Sequence, residues 1–411
     1  MIPRPPGTED IFPDNIERWN RIINTARDVF KIYNFREIIV PIMEYTEVFS
    51  RGLGEATDIV SKEMFTFEDR GGRSLTLRPE GTASVVRAYS ENGDYNRLSS
   101  VKFFYTGPMF RAERPQKGRL RQFNQLGAEI FGSGDAYHDY EIISMINAIA
   151  RRCNIKSYSI LLNSIGCEKC RDVYLKDLKE YYIAREQRLC KDCQTRLHKN
   201  TLRLLDCKND SCREIKNGAP LITNYLDNEC AAHYEALKSY LKSASIEFKE
   251  TPYLVRGLDY YTRTTFEFVS DSLGAQNAFA AGGRYDNLVE QFHGKSVPAI
   301  GFAAGIERML LLSADEDGIA ELDAFIIHTG GATLEKAVSI AKDLRELGVS
   351  VDLDPVSKGF KSQFKRAERE NARYCVIIGE DELANNSAGL KNQKTGEQTN
   401  VPFEQLANRL V

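Results

Sequence analysis

Tryptophan occurs once in this 411-residue chain, histidine five times and methionine six. Long apolar runs are missing too. No stretch of about 18 apolar residues occurs, which excludes a helical membrane span. The opening Met-Ile-Pro-Arg-Pro-Pro-Gly lacks the apolar core of an export signal, so a cytoplasmic protein with no membrane partner is expected. Neither a Gly-x4-Gly-Lys-Ser/Thr phosphate loop nor a Gly-x-Gly-x-x-Gly turn between strand and helix is present, which excludes the commonest parallel-sheet nucleotide sites. An excess of one charge is absent as well: 55 basic against 58 acidic residues leave a net charge of −3. Any nucleic-acid contact must therefore come from local basic patches. The histidines (His138, His198, His233, His293, His328) form no paired ligand motif, and each is expected to pack or to sit at the surface.

What is present is ordinary for a folded chain: 42% hydrophobic and 27% charged residues, in a length that suits two or three domains. Residues 14–33 place Ile16, Trp19, Ile22, Ile23, Ala26 and Phe30 at helical spacing behind a capping Asp14. A β-branched run at 36–43 predicts a strand, with Pro41 at an edge or strand end because it has no N–H to donate. Strands at about 99–111 and 122–132 flank the charged loop Glu113–Arg121. Residues 166–245 change character, with most of the cysteines and a helical run at Val173–Arg188, and read as an insertion. Strand patterns return at 253–269, then Gly282-Gly283, then a strand passing into a helix at 299–312. After the acidic stretch Asp315–Glu321, strands and helices alternate (Phe325–His328, Leu334–Leu347, Val349–Asp352, Phe360–Asn371, Tyr374–Ile378), the pattern of a separate α/β domain. Four segments follow: 1–165 and 246–320 as the two parts of one core, 166–245 as an inserted helical domain, and 321–411 as a C-terminal domain.

If this chain handles a nucleotide, isolated arginines on antiparallel strands must do it, since guanidinium forks grip phosphate and carboxylate and stack on purines. The segment Gly107-Pro-Met-Phe-Arg111-Ala-Glu113-Arg114-Pro-Gln116-Lys117-Gly-Arg119-Leu-Arg121-Gln-Phe123 puts Arg111 at a strand end and further basic residues in a loop. Taken alone the loop would also serve as a solvated basic hairpin. Pro298-Ala-Ile-Gly301-Phe-Ala-Ala-Gly305-Ile-Glu307-Arg308 has glycines that permit close strand–helix approach before an arginine able to lie over adenine.

These two stretches resemble motifs 2 and 3 of class II aminoacyl-tRNA synthetases, and Ile38–Gly54 resembles the weaker motif 1, which in that class builds the dimer interface. Leu254-Val-Arg256-Gly-Leu-Asp259-Tyr260-Tyr261-Thr-Arg263-Thr-Thr-Phe266-Glu267-Phe268 and Ala281-Gly282-Gly283-Arg284-Tyr285-Asp286 resemble, nearly residue for residue, the two histidine-specific signatures of the histidyl-tRNA synthetase family. The resemblance implies an α+β catalytic domain built on an antiparallel sheet, a helical insertion and a C-terminal α/β anticodon-binding domain, in a homodimer. It implies an ATP-dependent ligase that joins histidine to its tRNA through histidyl-adenylate, with Mg2+ on the ATP phosphates. Arg256 and Arg111 are the expected electrostatic catalysts. Histidine is expected against Glu80, Gly81, Thr82, Arg111, Gln125, Glu129, Arg256, Tyr260 and Tyr261, with Glu80 and Thr82 on the ammonium and Glu129 with Tyr261 on the imidazole. ATP is expected against Arg111, Glu113, Arg119, Phe123 and Arg308, and tRNA against Arg114, Gln116, Lys117 and Arg121. Lys358 to Arg366 is a further basic stretch suited to RNA backbone. A synthetase-like regulatory subunit of an amino-acid biosynthetic enzyme would share the fold, but degenerate motifs and a missing C-terminal domain would mark it, and here Arg111, Glu113, Arg256, Arg308 and that domain are present.

The cysteines stand apart. Cys167-x-x-Cys170 and Cys190-x-x-Cys193 have the spacing of a four-thiolate structural zinc site. Cys207 and Cys212 offer a second grouping with Cys190 and Cys193, and reduced, partly buried thiols are the metal-free alternative.

Overall fold

The computed structural model describes residues 2–54, 57–93, 98–116, 118–274, 277–314, 322–356 and 359–410, without the side chains of Asp14 and His293. Lys117, Lys358 and the acidic stretch 315–321 lie outside the described residues. The chain forms two compact units, 1–314 and 315–411.

The larger unit is built on an eight-stranded sheet ordered Arg36–Glu37, Val101–Phe110, Gln122–Phe131, Ala299–Gly305, Ala278–Arg284, Thr262–Val269, Ser159–Ser164 and Lys249–Glu250. The six inner strands pair antiparallel and only the two outermost pairings are parallel. One face packs on helices Pro13–Ile32, Ala136–Arg152 and Asn228–Ser243 through a core that includes Phe30, Phe104, Ile142, Ile146, Leu237, Phe266 and Phe302. That burial contributes strongly to the unit's stability, because a fully buried large apolar side chain contributes about 1.5–3 kcal/mol. The other face carries the functional cleft.

Strands Val101–Phe110 and Gln122–Phe131 form the long hairpin that the alternation predicts. Four local expectations change. Helix Pro13–Ile32 begins with Pro13 at its first turn and Phe12 as N-cap, without a side-chain cap, so Asp14 is not the capping residue. The run at 36–43 is not one strand: Arg36–Glu37 pairs with Phe103 and Phe104, the chain crosses over through Pro41, and Met43–Tyr45 joins a separate three-stranded sheet with Ser74–Leu77 and Phe65–Glu68. Pro41 cannot sustain a ladder, and the break falls around it. Residues 253–261 are loop, and the strand starts only at Thr262. The run Val173–Arg188 is helix Glu168–Ile183 followed by a single 3-10 turn at Glu186–Arg188.

The smaller unit has a five-stranded sheet ordered Val351–Leu353, Leu322–His328, Ala372–Ile378, Ser387–Asn392 and Gln398–Pro402. Its first three strands are parallel, with the crossover helices Ala332–Glu346 and Phe360–Arg369 that parallel pairing requires, and its last two are antiparallel.

Candidate active site

A cleft of about 340 Å³ opens over the middle of the large sheet. Its walls come from the hairpin (Arg111, Glu113, Arg119, Phe123, Gln125), the segment before helix Thr82–Glu91 (Glu80, Thr82), the loop 253–261 (Arg256, Tyr260, Tyr261) and the turn from strand to helix at Gly305–Arg308. Residues more than 200 positions apart in the sequence thus face one space.

Glu129 does not itself line this cleft; it is fully buried directly behind the lining residues Thr82, Tyr285 and Gly301. It pairs with Gly301 on the neighbouring strand, and its carboxyl occupies the space a side chain at 301 would need. Tyr285 donates to its Oε2 at 2.5 Å and Thr82 to its Oε1 at 2.8 Å, with the Tyr105 hydroxyl at 3.4 Å. Burial pushes the carboxyl up to about 8, outweighing the hydroxyls that favour its ionised form. Glu80 is buried beside it and takes the amide N–H groups of Thr82 and Ala83 at 2.8 and 2.7 Å, so its carboxylate closes the start of helix Thr82–Glu91. Burial raises Glu80 as well. Gly81 does not line the cleft. It is the helix N-cap, and a side chain there would strike the Tyr105 ring.

At the mouth of the loop, Arg256 pairs with Glu267 and faces the Tyr261 ring, 5.9 Å from its centroid. Burial would lower the guanidinium, but the Glu267 carboxylate more than offsets it, so Arg256 stays charged. The Tyr260 and Tyr261 rings are both buried and lie 4.6 Å apart, and Tyr260 meets Tyr285 edge-on. They do not alternate as strand neighbours would, because they precede the strand.

Across the cleft Arg111 donates from Nε to the Pro79 carbonyl at 2.9 Å and stacks on Phe123, 5.2 Å from the ring centre. Glu113 sits between Arg119, at 2.8 Å, and Arg111, at 3.8 Å. Arg308 donates to the carbonyls of Gly118 and Ala278 at 2.8 and 2.6 Å, bridging loop and sheet, and burial with the nearby Arg119 and Arg111 lowers its pKa. Arg114 and Gln116 are exposed at the loop tip, whereas Arg121 is half-buried and donates to the Glu113 carbonyl at 3.2 Å.

Tyr285, Tyr105 and Glu267 are not among the site residues expected from the sequence. Tyr285 and Glu267 stand inside the two signature segments, but only the folded register shows that one hydroxyl and one carboxylate turn toward the cleft. Arg284 of the same signature is fully buried away from it, in a cluster with Asp139 and with the Ser133 and Asp135 carbonyls.

The four cysteines Cys167, Cys170, Cys190 and Cys193 do not surround one point. Cys190 and Cys193 gather with Cys207 and Cys212, while Cys167 and Cys170 gather with Asp227 and Cys230. Each Cys-x-x-Cys pair sits at the N-terminus of its own helix, Glu168–Ile183 or Lys191–Lys199, and the intervening helix separates them.

Comparison with known proteins places this architecture. Residues 7–309 match the family model for histidyl-tRNA synthetase and residues 323–411 that for an anticodon binding domain. The histidine–tRNA ligase of Halothermothrix orenii is 47% identical over 100% of this chain and 99% of its own length. The crystal structure of apo histidyl-tRNA synthetase from S. aureus superposes with a TM-score of 0.84 at 37% identity, covering 100% of both chains. An ATP phosphoribosyltransferase regulatory subunit/histidyl-tRNA synthetase from Bacillus halodurans has a TM-score of 0.67 at 23% identity, over 92% of this chain and 98% of its own, a likeness of fold alone.

Proposed function

The chain belongs to the histidyl-tRNA synthetase family and joins histidine to its tRNA at the expense of ATP; on that premise we propose how its cleft divides the work. Histidine lies with its imidazole against Tyr260, Tyr261 and Tyr285 above Glu129, and with its ammonium toward Glu80 and Thr82. Neutral imidazole presents one donor and one acceptor, so a carboxyl on one side and a phenol on the other reject amino acids of similar size that would leave those groups unpaired. Gln125 faces the same space with its buried Oε1 lacking a protein partner, and Arg256 has its buried Nε free in the same sense. Both atoms are suited to substrate.

Activation is attack by the histidine carboxylate on the α-phosphate, with pyrophosphate leaving. Negative charge collects on phosphoryl oxygens, so fixed cations supply most of the acceleration. Arg111 and Arg256 stand on opposite walls for that role. Phe123 and Arg308 bracket the adenine, and Glu113 and Arg119 lie beside the phosphates. Glu113 and Glu307 are the carboxylates at that end, hard oxygen donors that fit Mg2+, which would neutralise phosphate charge. In the second step a terminal tRNA ribose hydroxyl attacks the adenylate carbonyl. Exposed Arg114 and Gln116, with Arg121, would meet the tRNA backbone, and the C-terminal domain its anticodon.

Homodimerisation is supported by the three-stranded sheet. Met43, Leu77 and Phe65 are cross-strand neighbours, as are Tyr45, Leu75 and Phe67, and Met43, Tyr45, Phe65 and Phe67 are exposed on that face. Ile39 and Ile42, which precede this strand in the sequence, are exposed as well, and these apolar side chains are suited to a second copy. For the cysteine-rich segment, structural zinc fits Cys190, Cys193, Cys207 and Cys212, the grouping left open by the spacing.

The observation that carries this reading is the convergence of Arg111 and Arg256 on one cleft with the Glu129 cluster. Its test is adenylate formation by Arg256→Ala, Arg256→Lys and the unmodified chain. The alanine variant should lose about 100- to 1000-fold in rate with a much smaller change in histidine affinity, and lysine should restore only part of it. Equal losses in rate and affinity would reduce Arg256 to a binding residue.

A further inference from the structure

We propose that Cys167, Cys170, Asp227 and Cys230 form a metal site of their own, for a thiophilic divalent ion of the zinc class, which closes the neck of the inserted segment. Their ligand atoms all lie within 4.8 Å of one another. The Cys167 and Cys170 sulfurs are 3.6 Å apart, and Cys167 Sγ lies 3.3 Å from Asp227 Oδ2. Ligands about 2.3 Å (sulfur) and 2.0 Å (oxygen) from a tetrahedral zinc stand about 3.5 to 3.8 Å from each other. A disulfide would need about 2.05 Å, and all three cysteines are free.

The surroundings are organised as a ligand set. Asp227 is the N-cap of helix Asn228–Ser243, and its Oδ1 takes the Cys230 amide at 2.7 Å, which leaves Oδ2 to face the thiols. The Asp227 N–H in turn points at Cys170 Sγ, 3.2 Å away, a donor suited to a thiolate. Cys167 and Cys170 are the N-cap and third residue of helix Glu168–Ile183, so the helix end also favours negative charge there. Gly166, at φ +67°, makes the turn possible, since a side chain there would collide with Cys170. Cys190 and Cys193 stand in the same two positions of helix Lys191–Lys199, so one local design occurs twice.

The placement gives the site its purpose. Residues 165 and 166 are hydrogen-bonded to Arg263 of the catalytic sheet, and helix Asn228–Ser243 packs under the same sheet. Everything between them is the inserted lobe. An ion held by Cys167 and Asp227, 60 positions apart in sequence, would tie the entry of that lobe to its exit. Arg171, which follows Cys170, donates to the Tyr261 carbonyl at 2.9 Å, so the same helix start also holds one edge of the cleft.

Zinc content of the full-length protein, purified without chelators and measured by native mass spectrometry, tests this. About two zinc ions per chain are expected, with about one remaining in Cys230→Ala and about one in Cys207→Ala. Loss on Cys207→Ala alone, with zinc unchanged in Cys230→Ala, overturns the neck site while leaving the other; loss on Cys230→Ala alone supports it and removes zinc from the other set. If either variant does not fold, cobalt loading of the unmodified chain decides: two ions sharing seven thiolates support the neck site, and one ion with four thiolates overturns it. No bound zinc and no cobalt thiolate absorption also overturns it.

Discussion

The carboxyl of Glu129 lies over Gly301, its cross-strand partner, so closely that a methyl group at 301 would coincide with it. The glycine of the third motif is therefore also a specificity element, because it leaves room for the acid beneath the imidazole site. Gly301→Ala should fold with a loss of about 1–3 kcal/mol from overpacking. It should also raise the KM for histidine at least tenfold. Unchanged histidine affinity in a folded variant would dissociate Glu129 from the amino-acid site.

Glu129 also predicts a proton balance. Its native carboxyl titrates near 8 against an ordinary 4.5, so at pH 7 it is mostly protonated when folded and ionised when unfolded. Its contribution to stability is present below pH 4.5 and is lost as pH rises through 8. Histidine, bringing an ammonium and an imidazole N–H, favours the ionised form. Binding at pH 7 should release about one proton, seen by calorimetry in buffers of different ionisation enthalpy. Glu129→Gln should release none, and equal proton release from both proteins would contradict the assignment.

Arg284 is expected to matter for folding and not for chemistry. It is fully buried against Asp139, which also holds His233 at 3.0 Å. Burial would raise the Asp139 carboxyl, but Arg284 and His233 hold it well below the usual carboxylate range. That stabilisation is present above pH 3.8 and is lost as pH falls toward the native value. Arg284→Ala leaves the buried Asp139 carboxylate with His233 as its one remaining charged partner and should cost about 3–5 kcal/mol in denaturant unfolding. A loss below about 0.5 kcal/mol would show that the pair is not structural.

The exposed face of the three-stranded sheet predicts assembly. Ile39→Glu combined with Tyr45→Glu should shift the chain to monomer in sedimentation at micromolar concentration. An unmodified chain that is already monomeric there would contradict the assembly, and a dimer indifferent to these changes would place the interface elsewhere.

Much of this was legible in the sequence because the relevant signals are local. The hairpin around Arg111, the strand–helix turn at Gly305–Arg308 and the alternating C-terminal elements follow from short-range periodicity and turn residues, and their observed bounds lie close to the expected ones. What was not legible depends on distant pairing. Arg256, Tyr260 and Tyr261 read as strand because β-branched and aromatic residues surround them, yet ladder pairing begins only at Thr262. Of the two cysteine groupings that the spacing allowed, Cys190 and Cys193 with Cys207 and Cys212 gather, whereas Cys167 and Cys170 do not join Cys190, because Asp227 and Cys230, which complete their cluster, are brought in by the far end of the insertion. The cleft's tyrosine–glutamate cluster likewise exists only once Thr82, Tyr105, Glu129 and Tyr285 meet across four segments.

The most direct measurement is exchange of labelled pyrophosphate into ATP by the purified, folded chain in the presence of each amino acid in turn. Exchange is expected with histidine alone, together with charging of histidine tRNA by the same preparation. Exchange with no amino acid, or with another amino acid as readily as with histidine, would contradict the assignment.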